Sequence, residues 1–302
     1  IVAFFDLDYL SRFDRVLYVV NILLLVAVIL VGQSSNNAVR WIGFGPVRIQ
    51  PSEFSKVAVI LFLVWQISNT KSKTTGFWFI CRTMMTLLPV AGLVGSNNLS
   101  TAVIILGIGV LLIFVANPRY LQFLALGCAG IGFIAVFLAA ESYRLERLAI
   151  WRDPEKYEKG FQTIQGLYAI GSGGIFGKGF GNSLQKLGFV PEAQNDMIFS
   201  IVCEETGILG AFLTLFLFGI LIWRLCILAL NCRDLQGTLL CAGIMAHMAI
   251  QVVLNVAVVT NTIPNTGITL PFVSYGGTSV VFLLGEMGLA LSVSSHRHGR
   301  IT

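Results

Sequence analysis

The sequence predicts an all-α fold, a polytopic membrane helix bundle of about eight transmembrane helices with one long polar loop. Of the 302 residues, 56% are hydrophobic and 12% charged, and mean hydropathy is +0.82. Apolar runs recur at about 17–20 residues, the length that crosses a hydrocarbon core roughly 30 Å thick. This composition excludes a soluble enzyme, a disulfide scaffold and a disordered chain. Net charge is +5, yet the basic residues are dispersed between apolar runs and form no basic helix face. They are read as topology and headgroup charges, with no nucleic acid as partner. The six cysteines show no C-x-x-C spacing and behave as small hydrophobes, without disulfide or metal site.

Polar or Gly/Pro breaks divide the apolar stretches into helices near 15–31, 53–69, 77–95, 99–116, 121–140, 197–230, 235–259 and 276–295. The first run ends at Gly32-Gln33. The second begins at Gln50-Pro51-Ser52-Glu53, where Pro51 suits the first helical position and Glu53 the first turn. The third and fourth are parted by Ser96-Asn97-Asn98, and the fourth and fifth by Asn117-Pro118. The run 197–230 exceeds one perpendicular span, so it tilts or carries its first turns, with Glu204 and Glu205, in a polar pocket. The seventh follows Arg233-Asp234, and the eighth follows a Gly/Pro-rich string from Pro264. The chain begins Ile1-Val2-Ala3 without Met or a readable signal peptide, and an incomplete N-terminus is expected.

Ten basic residues fall on one side: Arg12, Arg15, Lys71, Lys73, Arg82, Arg119, Arg224, Arg233, Arg297 and Arg300. The opposite short loops hold Arg40, Arg48 and Lys56. The positive-inside rule makes the first side cytoplasmic. The remaining seven lie in a loop, 141–196, that also holds seven acids. A loop this long and charged is functional or a small ordered subdomain. Its Gly-rich part, 160–181, suggests a segment lying in the interface or dipping back into the membrane. It is no phosphate-binding P-loop, because Gly179 follows Gly177-Lys178 where Ser or Thr is required.

Asp196, in Pro191-Glu192-Ala193-Gln194-Asn195-Asp196, stands where this loop becomes a helix. It is either a capping or first-turn acid or a candidate for chemistry. Asp196, Ser200 and Glu204 share one helical face, with Glu204 about 12 Å deeper. Lys56 lies three residues past Glu53 and either pairs with it or holds an anionic headgroup. His247, Gln251 and Asn255 form a polar stripe, read as interhelical hydrogen-bond glue for His247 and Gln251. Glu286 should face protein. The string Pro264 to Ser279, which includes Ser274-Tyr275-Gly276, is a structured turn or a wall that lets a ligand approach backbone closely. The residues alone fit a transporter as well as an enzyme.

Three strings together are more specific: Arg40-Trp41-Ile42 with Gln50-Pro51-Ser52-Glu53 and Lys56; Pro191-Glu192 through Asp196 with Glu204-Glu205 and Gly207; and Pro264 to Ser279. They resemble the SEDS family of FtsW, RodA and SpoVE along essentially the whole chain, and most the FtsW/SpoVE branch. The resemblance implies one transmembrane domain, 1–302, matching the last eight of the family's ten helices. The extracytoplasmic loop 141–196 would lie within it, and Asp6 and Asp8 in the cytoplasmic segment after the family's second helix. Ser96-Asn97-Asn98 lacks the Pro-Asp common in the family, so no acid there takes part.

The implied activity is a peptidoglycan glycosyltransferase of the bacterial cytoplasmic membrane. It polymerises lipid II by an inverting displacement that forms a β-1,4 bond and releases undecaprenyl diphosphate. The family's outer-loop Asp corresponds to Asp196, which would be the base on the acceptor hydroxyl. Arg48, Lys56, Arg147, Arg152 and Lys178 are candidates to hold diphosphates. Glu192, Ser274, Tyr275 and Gly276 are expected substrate contacts, and Trp41, Pro51, Glu53, Glu204 and Asn255 expected supports. A divalent cation, Mg or Mn, could share the work, although no dedicated ligand cluster is visible. Implied partners are lipid II, the nascent glycan strand, a class B penicillin-binding transpeptidase and other divisome or elongasome membrane proteins. Two competing readings are a lipid II flippase or other precursor transporter using Glu204, His247 and Glu286, and a scaffold that anchors a partner enzyme.

Overall fold

The computed structural model describes residues 12–35, 38–44, 47–70, 77–139 and 142–298. Asp6, Asp8, Lys71, Lys73, Arg300 and the chain start, named above, lie outside the described residues. Every predicted segment is helical: α1 Asp14–Val31, α2 Pro51–Ser68, α3 Phe77–Asn97, α4 Leu99–Ala116 and α5 Tyr120–Ala139, then, beyond the loop, α8 Ile198–Leu230, α9 Leu235–Val259 and α10 Gly277–His298. The long loop is itself ordered, with α6 Ser142–Arg152 and α7 Phe161–Gly173 joined by two short 3-10 turns. Among the described residues six helices, α1, α3, α4, α8, α9 and α10, are long and apolar enough to cross a membrane. α5 is apolar over a shorter stretch, Tyr120–Val136, and α2 carries a buried ion pair. The chain is a multi-pass, all-α membrane protein.

Between α1 and α2 the structure adds a feature that the sequence does not announce. It is a small antiparallel sheet, β1 Gln33–Ser35, β2 Ala38–Phe44 and β3 Val47–Ile49, in the order β1-β2-β3. Gln33 faces Trp41 and Ile42 faces Ile49. Strands of three and seven residues are too short for a period-two pattern to stand out.

The chain divides into two compact units. The first comprises 1–134, 223–248 and 277–302. At its heart α2 is buried almost all round, through Ala58, Val59, Ile60, Leu63 and Val64. From Val57 to Trp65 it is apolar on every face, as a core helix is. Gly109 of α4 leaves no room for a side chain against Leu87, and Gly243 of α9 little against Ile60, the small-residue close approach of membrane helices. Several of its buried polar groups are paired. Lys56 Nζ lies 2.9 Å from the Glu53 carboxylate. Ser55 donates to Asn21 at 2.7 Å, and His247 Nδ1 meets both Glu286 oxygens at 2.9 and 2.8 Å. Glu286 is buried, as expected of an acid in a span.

The second unit comprises 135–222 and 249–276. Its apolar core gathers Val190, Met197, Phe199, Cys203, Phe218, Val252, Val259 and Leu270. Within it α8 is not one continuous helix, since Gly207 has φ +67° and ψ −167°. The expected polar pocket around the first turns of 197–230 is found here. The carbonyls of Glu204 and Glu205, freed by the break, accept from the amides of Lys178 and Gly179, each at 2.9 Å. The amides of Ile208 and Leu209 donate to the carbonyls of Gly174 and Ile175 at 2.9 and 3.3 Å. The Gly-rich loop is thereby spliced into the broken helix. Glu204, fully buried, accepts from Lys178 Nζ at 2.6 Å, from the Ser183 hydroxyl and from the amides of Leu184 and Gln185. Lys186 pairs with Glu205 at 2.6 Å.

A backbone conformation this rare for residues with a Cβ predicts a sharp penalty. A Cβ on Gly207 would strike Ile175 O and Gly177 N, whereas one on Gly219 meets open space. Gly207→Ala should lose about 1–3 kcal/mol of stability, seen as a lower unfolding midpoint in detergent. Gly219→Ala should leave that midpoint unchanged or raise it.

Candidate active site

The site is built on residues 191–197, a run of turns ahead of α8. Asp196 lies two residues before the first helical residue, Ile198, and is buried with 8% of its surface exposed. Three groups hold the turn from the far side. Asn255 of α9 donates through Nδ2 to Asp196 O at 2.8 Å and to Ile268 O at 2.7 Å. Ser274 donates to Asn195 O at 2.6 Å and accepts from the Leu270 amide at 2.7 Å. The Tyr275 amide donates to Gln194 O at 2.8 Å. One turn of α9 away, Gln251 donates to Thr269 O at 3.0 Å. The polar stripe of α9 thus fixes the string 264–276, and the string fixes the acid. Within the turn, Glu192 adopts φ +54° and its carboxylate accepts from the Asn195 amide group.

The Asp196 carboxylate itself accepts from Gln162 Nε2 of α7 at 3.4 Å. Burial pushes its pKa up to about 6, and the negative charge of Glu192 adds to the rise. A hydrogen bond from its own backbone, the Gln162 amide and the Arg147 guanidinium oppose it. Arg147 is half-buried on α6 and donates to Asn265 O at 3.3 Å, and Trp151 donates to Asn261 O at 3.0 Å. Beside this turn opens a cavity of about 660 Å³, lined by Lys186, Leu187, Val190, Glu192, Ala193, Gln194, Ile198 and Ile201. Its wall comes from the residues that flank Asp196 in sequence.

The second unit therefore gathers Asp196, Arg147, Glu192, Asn255, Ser274 and Tyr275. Tyr275 is exposed and Gly276 half-buried. Arg152 is exposed at the end of α6. Trp41, Arg48, Pro51, Glu53 and Lys56 belong to the first unit, with Arg48 exposed on β3. Three of the expected substrate contacts are engaged within the protein. Lys56 is buried against Glu53, so its ammonium is already engaged and it is a structural pair. Lys178 is likewise held by Glu204. The Ser274 hydroxyl spends its donor and an acceptor site on the backbone and so holds the turn. Sequence reasoning missed Gln162, which sits in no motif, and the pairing of Lys186 with Glu205, residues 19 apart. Among the described residues no three His, Cys, Asp or Glu side chains come together to hold a metal ion.

The family described as "Cell cycle protein", FtsW/RodA/SpoVE, matches residues 1–299. Stage V sporulation protein E of Bacillus subtilis is 41% identical, over 96% of this chain and 82% of its own length. A probable peptidoglycan glycosyltransferase FtsW of the same organism is 36% identical, over 94% and 74%. Among solved structures, one chain of a peptidoglycan synthase complex superposes with TM-score 0.81 at 29% identity, covering 98% of this chain and 84% of that one. The rod shape determining protein RodA of Thermus thermophilus gives TM-score 0.73 at 29% identity, covering 98% and 82%.

The neighbours of Asp196 predict opposite shifts. Glu192→Gln removes a like charge and should lower its pKa from about 6, whereas Gln162→Ala removes a donor to the ionised form and should raise it. Carbon-13 NMR titration of aspartate-labelled protein in micelles reads both. Equal values in the two variants would contradict the assignment of causes.

Proposed function

Because the chain belongs to the FtsW/RodA/SpoVE family, we propose that it is a peptidoglycan glycosyltransferase that transfers the growing lipid-linked glycan strand onto lipid II with Asp196 as general base. The observation that carries this reading is a buried carboxyl whose proton affinity is raised toward neutrality on a turn held rigid by Asn255, Ser274 and Tyr275. A base works best with its pKa near the working pH, where it is still mostly ionised yet binds a proton more firmly than an ordinary carboxylate.

In the displacement, Asp196 takes the proton of the acceptor 4-hydroxyl as that oxygen attacks the anomeric carbon of the donor sugar. The bond to undecaprenyl diphosphate breaks on the opposite face, which inverts an α linkage to β. The departing diphosphate needs positive charge. Arg147 is the cation best supported for that duty, since its field already reaches Asp196. Arg152 of the same unit remains a candidate, and Glu192 and Tyr275 are the expected sugar contacts. The loop bearing Asp196 works on the extracytoplasmic face of the bacterial cytoplasmic membrane. A class B penicillin-binding transpeptidase is the expected partner that cross-links the product.

Purified protein with labelled lipid II tests this directly. Wild type should yield glycan polymer, and Asp196→Ala or Asp196→Asn should lower the rate by about 10²–10⁴-fold. Since the ionised form is the base, activity should rise as pH increases through about 6 and fall about tenfold per unit below it. Headgroup translocation without polymer, surviving Asp196→Ala, would assign transport instead.

A further inference from the structure

The Gly-rich loop carries an exposed apolar surface. Between 174 and 189, Ile175, Phe176, Phe180, Leu184, Leu187 and Phe189 are all exposed, Phe176 to 80% and Phe180 to 86%. Contiguous exposed aromatics on this scale mark a binding surface. Their position says what covers them. The backbone splice at Gly207 pairs Gly174 and Ile175 with Ile208 and Leu209. From there Ile208, Leu209, Phe212, Leu213 and Phe216 are exposed along a helix apolar enough to cross a membrane. The exposed face of the loop and the exposed apolar side of α8 thus meet at one hydrogen-bonded junction.

Charge points the same way. The stretch 174–189 contains two ionisable side chains, Lys178 and Lys186. Each is matched to one carboxylate of α8, Lys178 to Glu204 and Lys186 to Glu205, both at 2.6 Å. Non-helical backbone is tolerated at membrane depth only where its polar groups are satisfied by protein. Here α8 receives the amides of Lys178 and Gly179 and supplies donors to Gly174 and Ile175. A loop facing water needs neither arrangement.

We infer that residues 174–189 form a re-entrant lipid-binding segment, embedded in the bilayer through Phe176 and Phe180 and continuous with the lipid-facing surface of α8. The inference does not depend on the reaction assigned to Asp196. Because Lys186 and Leu187 also line the 660 Å³ cavity, an embedded segment brings that cavity to the bilayer surface.

Photocrosslinking of the full chain tests it. p-Benzoylphenylalanine is placed singly at Phe176, Phe180, Phe212 and Tyr157, and each protein that is monodisperse by gel filtration is reconstituted in vesicles of phosphatidylethanolamine and phosphatidylglycerol. On irradiation, Phe176 and Phe180 should give lipid adducts at a yield comparable to Phe212 on α8. That yield should be several-fold above Tyr157, an exposed position in the charged part of the loop. Lipid labelling at Phe176 and Phe180 no greater than at Tyr157 would overturn the inference. So would adducts formed there with protein instead of lipid.

Discussion

Where α8 breaks at Gly207, the carbonyls of Glu204 and Glu205 and the amides of Ile208 and Leu209 lose their helical partners. A hydrocarbon setting offers no water to replace them. The loop segment 174–179 supplies all of them. Much of the second unit follows from that exchange. It requires glycine at 207, because backbone of the loop passes where a Cβ would sit, and at 173 and 177, which press on the carbonyls of Cys203 and Glu205. It also brings Lys178, Ser183 and the amides of Leu184 and Gln185 onto Glu204. A buried carboxylate costs several kcal/mol unless its oxygens are matched, and here each one is. The loop and the first turns of α8 are therefore one folded piece.

Asp196 stands two residues before those turns. It is fixed through backbone, by Asn255 to its own carbonyl, Ser274 to that of Asn195 and Tyr275 to that of Gln194. The carboxylate is left out of this scaffolding. Holding a reactive group by its peptide and not by its side chain gives position without consuming the oxygens that must act.

The helices were legible because a span leaves a long, simple signal: about 17–20 apolar residues between polar breaks. Within them the i, i+4 stripes of His247, Gln251 and Asn255, and of Asp196, Ser200 and Glu204, were readable from period alone. Partners were not. Nothing in local pattern tells that Glu204 meets Lys178, 26 residues away, or that Gln162 reaches Asp196 across 34. The small sheet at 33–49 escaped for a different reason, since three-residue strands are held by backbone bonds that side-chain pattern does not encode. Gly207 was visible as a glycine within a family string, but its role depends on which backbone passes beside it. That is a tertiary fact.

Four of the buried acids can be told apart by what they touch. Glu53 is closed by Lys56, Glu204 by Lys178 and Ser183, and Glu286 by His247. The oxygens of these three are engaged in pairs that fasten one element to another or brace a helix start. Asp196 has a different environment: the neutral amide of Gln162 at 3.4 Å, a guanidinium acting at longer range, and the like charge of Glu192. A neutral donor at that distance gives little back for burial, so the proton affinity rises. The same burial that raises it would be destabilising in a residue kept only for structure. An acid held this loosely beside a cavity is suited to taking up a proton, and among these carboxylates Asp196 is the one so arranged.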